Sequence, residues 1–139
     1  MNRRAFLGGV GAAASLGLAG CLTGVSDAAP SYDVGMSSTA FEPTRVEVAA
    51  GETVVWLNTN SRAHTVTAYE SGIPEGAEYF ASGGYGSEDE ARDAFVESFG
   101  GAIASRDTYE HTFAVPGQYD YFCIPHERGG MVGTVVVRE

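Results

Sequence analysis

Residues 119–131 constrain this chain more than any other stretch, because they carry three metal-donor side chains at one strand end and in the loop after it. Cys123 closes a strand-like run, His126 follows three residues later, and Met131 comes after a pair of glycines. A thiolate, imidazoles and a weakly bound thioether are the donors of blue-copper electron-transfer sites. Such a site needs a second imidazole, and His64 offers one from another strand-like run. The sequence therefore predicts one metal site built from these four side chains.

The alternation of side chains along a strand shows how the donors can converge. Tyr119, Tyr121 and Cys123 share one face of their run, because successive strand side chains point to opposite sides. With the two tyrosines packed inward, the sulfur lies at the end of the core. Pro125 then forces a turn that returns His126 over the same end. We therefore expect the donors at one pole of a stiff β-scaffold.

Short runs rich in Val, Thr, Tyr and Phe, separated by Gly, Pro, Asn and Ser, dominate residues 32–139. Such runs are typical of β-strands divided by turns. We predict strands at 32–36, 45–48, 53–57, 64–68, 109–115, 118–123 and 133–137. Residues 41–43 are interpreted as a turn, and residues 116–117 as the turn of a hairpin. The pattern predicts one all-β domain, a sandwich or barrel of seven to eight strands.

Residues 70–107 lack the strand pattern and are predicted to be an excursion from the sandwich. A short helix is predicted at 87–99, where Ser87 and Glu90 match a capping box at its start and two glycines follow its end. Its apolar stripe comprises Ala91, Ala94, Phe95 and Phe99. This stripe is too small to build a second core, so we expect no second domain.

The first 21 residues match an export leader rather than part of the fold. Arg3 and Arg4 open a twin-arginine pattern, and the Gly/Ala/Leu-rich stretch after them is shorter than the roughly 20 residues of a membrane span. The small residues before Cys21 resemble a lipobox, in which the cysteine becomes the acylated N-terminus. An uncleaved N-terminal anchor is the alternative. In both cases we expect a flexible linker at 22–31 and a domain tethered on the extracytoplasmic face of the membrane.

The charge balance limits the classes of partner. The chain has eight basic residues, all of them Arg, against 18 acidic ones, for a net charge of −10. Removal of the leader takes two arginines, which leaves six basic and 18 acidic side chains and a net charge of −12. Nucleic acid is disfavoured as a partner, because phosphate binding needs basic patches. The acidity indicates either a solvated surface or adaptation to high salt.

The spacing Cys-x2-His-x4-Met, with an upstream His in a strand, resembles the ligand pattern of the small blue-copper proteins, the cupredoxins. The similarity is to plastocyanin and, most closely, to the archaeal halocyanins, whose twin-arginine lipoprotein start is also similar. It covers residues 32–138. The motifs that carry it are His64-Thr-Val-Thr, Tyr109-Glu-His-Thr-Phe, Gly117-Gln-Tyr-Asp-Tyr-Phe-Cys123, Pro125-His126-Glu and Gly130-Met131-Val-Gly133-Thr-Val.

The resemblance implies a Greek-key cupredoxin fold with one type 1 copper ion. It implies that His64, Cys123 and His126 are the in-plane ligands and that Met131 is the long axial one. It also implies a monomeric one-electron carrier, not an enzyme, that cycles between Cu(II) and Cu(I) and serves redox protein partners at the membrane. The edge of His126, ringed by apolar residues that include Pro125 and Met131, is the implied electron exit.

Two positions beside the ligands depart from plastocyanin. Thr65 stands where plastocyanin has Asn after its upstream His, and Ile124 stands where it has Ser after its Cys. Hydrogen bonds and burial around the ligands tune a reduction potential. The potential of plastocyanin therefore does not transfer to this chain.

Other interpretations use fewer of these residues. Zinc is the alternative metal, although structural zinc favours several thiolates and has little use for a thioether. A metal-storage or surface lipoprotein without a redox role, an adhesion domain, and an enzyme with a Cys–His nucleophile pair are the alternative functions. His111 lies mid-strand without a nearby Cys or Met, so we interpret it as a structural or surface residue. Cys21 and Cys123 have separate roles, so no disulfide is expected.

Overall fold

A computed structural model describes residues 31–139, in which eight strands divide between two four-stranded sheets. The strands are β1 (Val34–Met36), β2 (Phe41–Glu42), β3 (Arg45–Ala49), β4 (Thr53–Asn58), β5 (Thr67–Ala68), β6 (Thr108–Thr112), β7 (Gly117–Phe122) and β8 (Val132–Arg138). The helix α1 spans Glu88–Ser98, and two 3-10 turns span Glu70–Gly72 and Ile124–Gly129.

The strand order is β2-β1-β4-β6 in the first sheet and β3-β8-β7-β5 in the second. β1 with β4 and β3 with β8 pair in parallel, and the other neighbours are antiparallel. Buried side chains from both sheets and from the excursion form one core. The predicted all-β sandwich of seven to eight strands is confirmed.

Alternation along the strands decides which side chains enter this core. In β8, Val135 and Val137 are buried, and the residue between them is partly exposed. The ring of Trp56 on β4 packs against Tyr121 of the other sheet and Tyr109 of its own, with centroids 5.4 and 5.6 Å away. Burying a large apolar side chain contributes about 1.5–3 kcal/mol. Contacts such as Trp56–Tyr121 therefore hold the two sheets together.

The predicted hairpin between residues 109–115 and 118–123 is wrong. β6 pairs with β4 in the first sheet, whereas β7 pairs with β5 and β8 in the second. Between them Phe113 is buried in the core, with its ring 4.8 Å from that of Tyr119. Pro116, which has no N–H to donate to a ladder, lies where the chain crosses between sheets. Turn residues mark where a chain bends, but they do not say which sheet the next strand joins.

The interpretation of residues 41–43 as a turn is wrong for its first two residues, and the chain bends only at Pro43 and Thr44. Phe41 lies in β2 and pairs with Met36 of β1. A separate turn joins β1 to β2, where the N–H of Ser37 donates to the carbonyl of Ala40 at 2.9 Å. Because β2 has only two residues, its alternation is too short to stand out in the sequence.

The predicted strand at 64–68 is shorter than expected. Only Thr67–Ala68 belongs to a sheet, and His64 instead forms an isolated bridge with Ile103 of the excursion. Residues 64–68 are all buried, so they lack the single inward face that their alternation predicted. The reason is that the excursion covers the side that would otherwise face solvent.

The prediction of a helix within a long excursion is confirmed, with one correction. The hydroxyl of Ser87 accepts the N–H of Glu90 at 3.2 Å and caps α1, and Ala91 is buried against the domain. Phe99, predicted in the apolar stripe, is 72% exposed. The helix ends one residue before it, and Phe99 takes a left-handed conformation. Its ring meets that of Phe95 edge-on at 5.4 Å but otherwise lies in solvent.

The predicted leader at 1–21, the lipid-modified Cys21 and all but the last residue of the linker at 22–31 lie outside the described residues. Within residues 31–139, no helix combines the length and the apolar character that crossing a bilayer requires.

Candidate metal centre

Backbone hydrogen bonds hold three of the predicted ligands in one tight loop. Cys123 follows β7 directly, and its N–H donates to the carbonyl of Met131 at 3.0 Å. The N–H of Met131 donates to the carbonyl of His126 at 3.2 Å, and the N–H of His126 to that of Cys123 at 3.2 Å. Gly130, at φ = 92°, ends the 3-10 turn in a left-handed conformation that favours glycine. The loop's own hydrogen bonds therefore fix all three backbone positions.

His64 approaches the same point from a neighbouring segment. Its N–H donates to the carbonyl of Ile103 at 3.2 Å, and the N–H of Ile103 donates back at 2.7 Å. Just beyond it, β5 pairs with β7 in a register that sets Thr67 opposite Phe122. This register brings His64 beside Cys123, and both residues are fully buried.

The donor atoms form a small triangle. Nδ1 of His126 lies 3.4 Å from the Cys123 sulfur, and Nδ1 of His64 lies 3.6 Å from it. Among the described residues, these three form a group whose ligand atoms all lie within 4.8 Å of one another. A point equidistant from atoms so spaced lies about 2–2.5 Å from each, which is the length of metal bonds to imidazole and thiolate. One thiolate with two imidazoles is the in-plane set of blue copper sites, so these residues fit copper.

Met131 lies beside the other proposed ligands, whereas His111 does not. Met131 is fully buried in the core that also includes Cys123, so its expected place in the apolar ring at the surface is wrong. Its backbone is hydrogen-bonded to both loop ligands. Its role as the axial ligand stays a prediction. His111 stands apart from the triangle: its ring stacks on Phe80 with centroids 4.7 Å apart and meets Phe113 edge-on. The structure thus gives His111 a packing contact instead of a place among the ligands.

Burial keeps the two imidazoles in the neutral form that binds a metal, whereas it favours the protonated form of the thiol. Desolvation, reinforced by the nearby His126, lowers the pKa of His64 to about 4. Burial also lowers the pKa of His126. Both imidazoles are therefore neutral at pH 7, as a metal ligand must be. Burial raises the pKa of the Cys123 thiol, so copper must displace its proton, while the N–H of Thr65, 3.4 Å from the sulfur, favours the thiolate.

Thr65 joins the two segments that carry the ligands. Its hydroxyl accepts the N–H of Ile124 at 2.8 Å and lies 3.1 Å from the hydroxyl of Thr67. The sequence marked Thr65 and Ile124 as departures from plastocyanin, and in the structure these two residues bond to each other. A hydrogen bond next to two ligands is the kind of contact that tunes a site.

The sequence did not indicate the ion-pair network that lies beside the loop. Glu127, the residue after His126, accepts from Arg92 of α1 at 2.8 and 3.2 Å and from the Tyr69 hydroxyl at 2.7 Å. Arg92 lowers the pKa of the Glu127 carboxyl, so this group is charged at pH 7. The spacing of Glu88 and Arg92 on a helix was visible as an i,i+4 pair. Nothing in the sequence, however, indicated that Arg92 also reaches the ligand loop.

Comparisons with known proteins agree with this chemistry. A family model described as "Copper binding proteins, plastocyanin/azurin family" matches residues 28–138. The chloroplastic plastocyanin of Tetradesmus obliquus is 31% identical over 131 residues, which cover 93% of this chain and 81% of that protein. The plastocyanin of Scenedesmus fuscus is 33% identical over 98 residues, covering 70% of this chain and 86% of that one.

Solved structures share the fold. The crystal structure of amicyanin from Paracoccus versutus is 28% identical, with a TM-score of 0.56, and the match covers 81% of this chain and 87% of that one. A Cu(I) structure of an amicyanin mutant is 24% identical, with a TM-score of 0.57 and coverage of 81% and 88%, and it supports the fold alone. With a family match that spans nearly all the described residues and three donors grouped around one metal position, this chain belongs to the plastocyanin/azurin family of copper-binding proteins and is an electron carrier, not an enzyme.

Proposed function

We propose that this protein carries single electrons on one type 1 copper ion held by His64, Cys123, His126 and, as a weak fourth donor, Met131. The observation that carries the proposal is the triangle of two imidazole Nδ1 atoms, 3.4 and 3.6 Å from one buried sulfur. Copper bound there supplies one-electron chemistry by alternating between Cu(II) and Cu(I).

The chain's own residues provide a rigid, dry environment for this exchange. Cys123 and His64 are fully buried, so water is kept from two of the donors. The bonds of the loop and the bridge from His64 to Ile103 hold the donors in place, so little has to rearrange when the charge of the site changes. His126 is only half-buried, and Pro125 beside it is exposed. We therefore assign electron exchange to the surface around His126.

The proposed partners are redox proteins with a basic docking face. The support is the net charge of −10 on the chain, because complementary charge speeds association and orients the encounter. Electron transfer to such a partner should slow as ionic strength rises. A rate that does not depend on salt would oppose charge-guided docking.

The proposed location is the outer face of the cell membrane, with acylated Cys21 as the anchor. The support is the twin-arginine pattern and the small residues before Cys21, features that also favour a halocyanin-like member of the family. Cys21→Ser should move the protein from the membrane fraction to the soluble fraction of cells that express the full chain. Continued membrane retention of this variant would contradict lipid anchoring.

Titration of the purified chain with Cu(II) tests the central proposal. We expect one equivalent to produce an intense blue absorption and a reversible one-electron wave. Met131→Leu should keep the colour and raise the potential, because loss of the weak axial donor disfavours Cu(II). A colourless complex would support metal storage instead, and absence of binding would refute a metal function.

A further inference from the structure

The guanidinium of Arg92 contacts the neighbours of two proposed ligands at once. It donates two hydrogen bonds to Glu127, which follows His126. It also lies over the ring of Phe122, which precedes Cys123, at 4.3 Å from the ring centroid. A single side chain from the excursion thus contacts the residue before Cys123 and the residue after His126.

Arg92 is itself held in place from several directions. Its Nε donates to Glu88 at 2.9 Å, and the ring of Tyr69 stacks on Phe122 at 4.3 Å while its hydroxyl donates to Glu127. The backbone N–H groups of Glu70 and Glu88 each donate to the other's carboxylate, at 2.9 and 3.1 Å, which fastens the start of α1 beside β5. Arg92 and Glu127 are only 34% and 29% exposed, so water screens them incompletely.

We propose that Arg92 and Glu127 are positioning residues for electron transfer: they clamp the His126 loop and balance the charge beside the copper. This inference rests on the proposed function. Two effects follow from one ion pair. The bidentate contact limits motion of the loop, and the positive guanidinium offsets a carboxylate one residue away from a ligand.

The clamp acts on the part of the loop that lies closest to solvent. Residues 128–130 are exposed, and His126 is the one proposed ligand that is not fully buried. Within the loop, the N–H of Gly130 donates to the carbonyl of Glu127 at 2.9 Å and the N–H of Met131 to that of His126 at 3.2 Å. Both bonds must break for the loop to open, so their amides report on the clamp.

Amide hydrogen exchange in the metal-free full chain tests the mechanical effect. In Arg92→Gln and Arg92→Lys we expect the amides of Gly130 and Met131 to exchange roughly tenfold faster, which corresponds to about 1.4 kcal/mol. Arg138→Gln is the matched control: it removes the same charge at the far end of β8, where Arg138 is 55% exposed and 3.9 Å from its acidic partner. The control should leave both exchange rates unchanged.

Redox titration of the copper-loaded chain tests the charge effect. Arg92→Gln leaves a bare carboxylate, which favours Cu(II), so the midpoint potential should fall. Glu127→Gln leaves a bare guanidinium, so the potential should rise, whereas Arg92→Lys keeps the charge and should stay near the wild type. A role in stability alone would not move the two potentials in opposite directions.

Two results would overturn the inference. If the amides of Gly130 and Met131 exchange in both Arg92 variants at the rate seen in Arg138→Gln, Arg92 does not clamp the loop. If the midpoint potentials of Arg92→Gln and Glu127→Gln shift in the same direction, the ion pair does not balance the charge beside the copper. If Arg92→Gln does not fold, the Lys variant and Glu127→Gln carry the test. A wild-type chain without blue colour would refute the proposed function instead, and the exchange measurement on metal-free protein would still decide the clamp.

Discussion

Replacing Thr65 with Val tests whether one hydroxyl joins the two ligand-bearing segments. The hydroxyl accepts the N–H of Ile124 at 2.8 Å, and Thr65 is only 1% exposed, so water has no access to replace it. Val keeps the branched shape at Cβ. The substitution therefore removes the acceptor and leaves the surrounding packing largely in place.

The cost follows from the unpaired group that remains. A buried N–H without a partner costs about 1–3 kcal/mol. We expect the free energy of unfolding of the metal-free protein to fall by about 2 kcal/mol, since the hydroxyl of Thr67 also loses its neighbour. For a domain of this size, the corresponding fall in Tm is roughly 8–12 °C.

Urea unfolding followed by tryptophan fluorescence measures this change, because Trp56 is the chain's single tryptophan and is fully buried. Thr53→Val is the matched control: its hydroxyl lies 2.6 Å from that of Thr112, but the pair is exposed. Water replaces the lost contact there, so the control should change stability by at most about 0.5 kcal/mol. If the free energy of unfolding falls no more in Thr65→Val than in this control, the hydroxyl of Thr65 does not join the two ligand-bearing segments.

Three further predictions concern the sulfur, the pH dependence and a close packing contact. Cys123→Ser should abolish the blue absorption while the far-UV circular dichroism stays unchanged; a blue variant would exclude Cys123 as a ligand. Because the pKa of His64 is lowered from 6.5 to about 4, the unfolded chain binds a proton that the folded metal-free chain does not, so stability should fall as pH drops from about 6.5 to 4. In urea titrations the free energy of unfolding should fall by up to about 3 kcal/mol over this pH range, and by less in His64→Gln. A free energy of unfolding that does not change with pH would contradict burial as the cause of the lowered pKa. In Gly133→Ala the new Cβ would lie 2.5 Å from the Tyr121 hydroxyl oxygen, so a cost of about 1–3 kcal/mol is expected, whereas Gly129→Ala, with open space around it, should have the Tm of the wild type.

The local features of the site were predictable because they depend on short spacings. The interval from Cys123 to Met131 and the position of Pro125 fixed the loop, and the strand period placed the core face of β7. The capping role of Ser87 was predictable for the same reason, since a cap involves residues three apart.

Features that depend on distant pairing could not be predicted. The crossing of the chain between β6 and β7 depends on long-range pairing, because β7 lies between β5 and β8 in the second sheet. The contact from Arg92 to Glu127 spans 35 positions in the chain. The contact forms only if the whole excursion folds back to the ligand loop, and outside α1 the excursion has no helical or strand periodicity that would predict its path.

The unequal exposure of the four proposed donors has a consequence for how copper is loaded and lost. His64, Cys123 and Met131 are sealed, and His126 is the donor that reaches solvent. Metal ions and electrons must then use the same opening in the protein surface. A docked partner would cover that opening, so chelators should strip copper from the free carrier faster than from the carrier in complex.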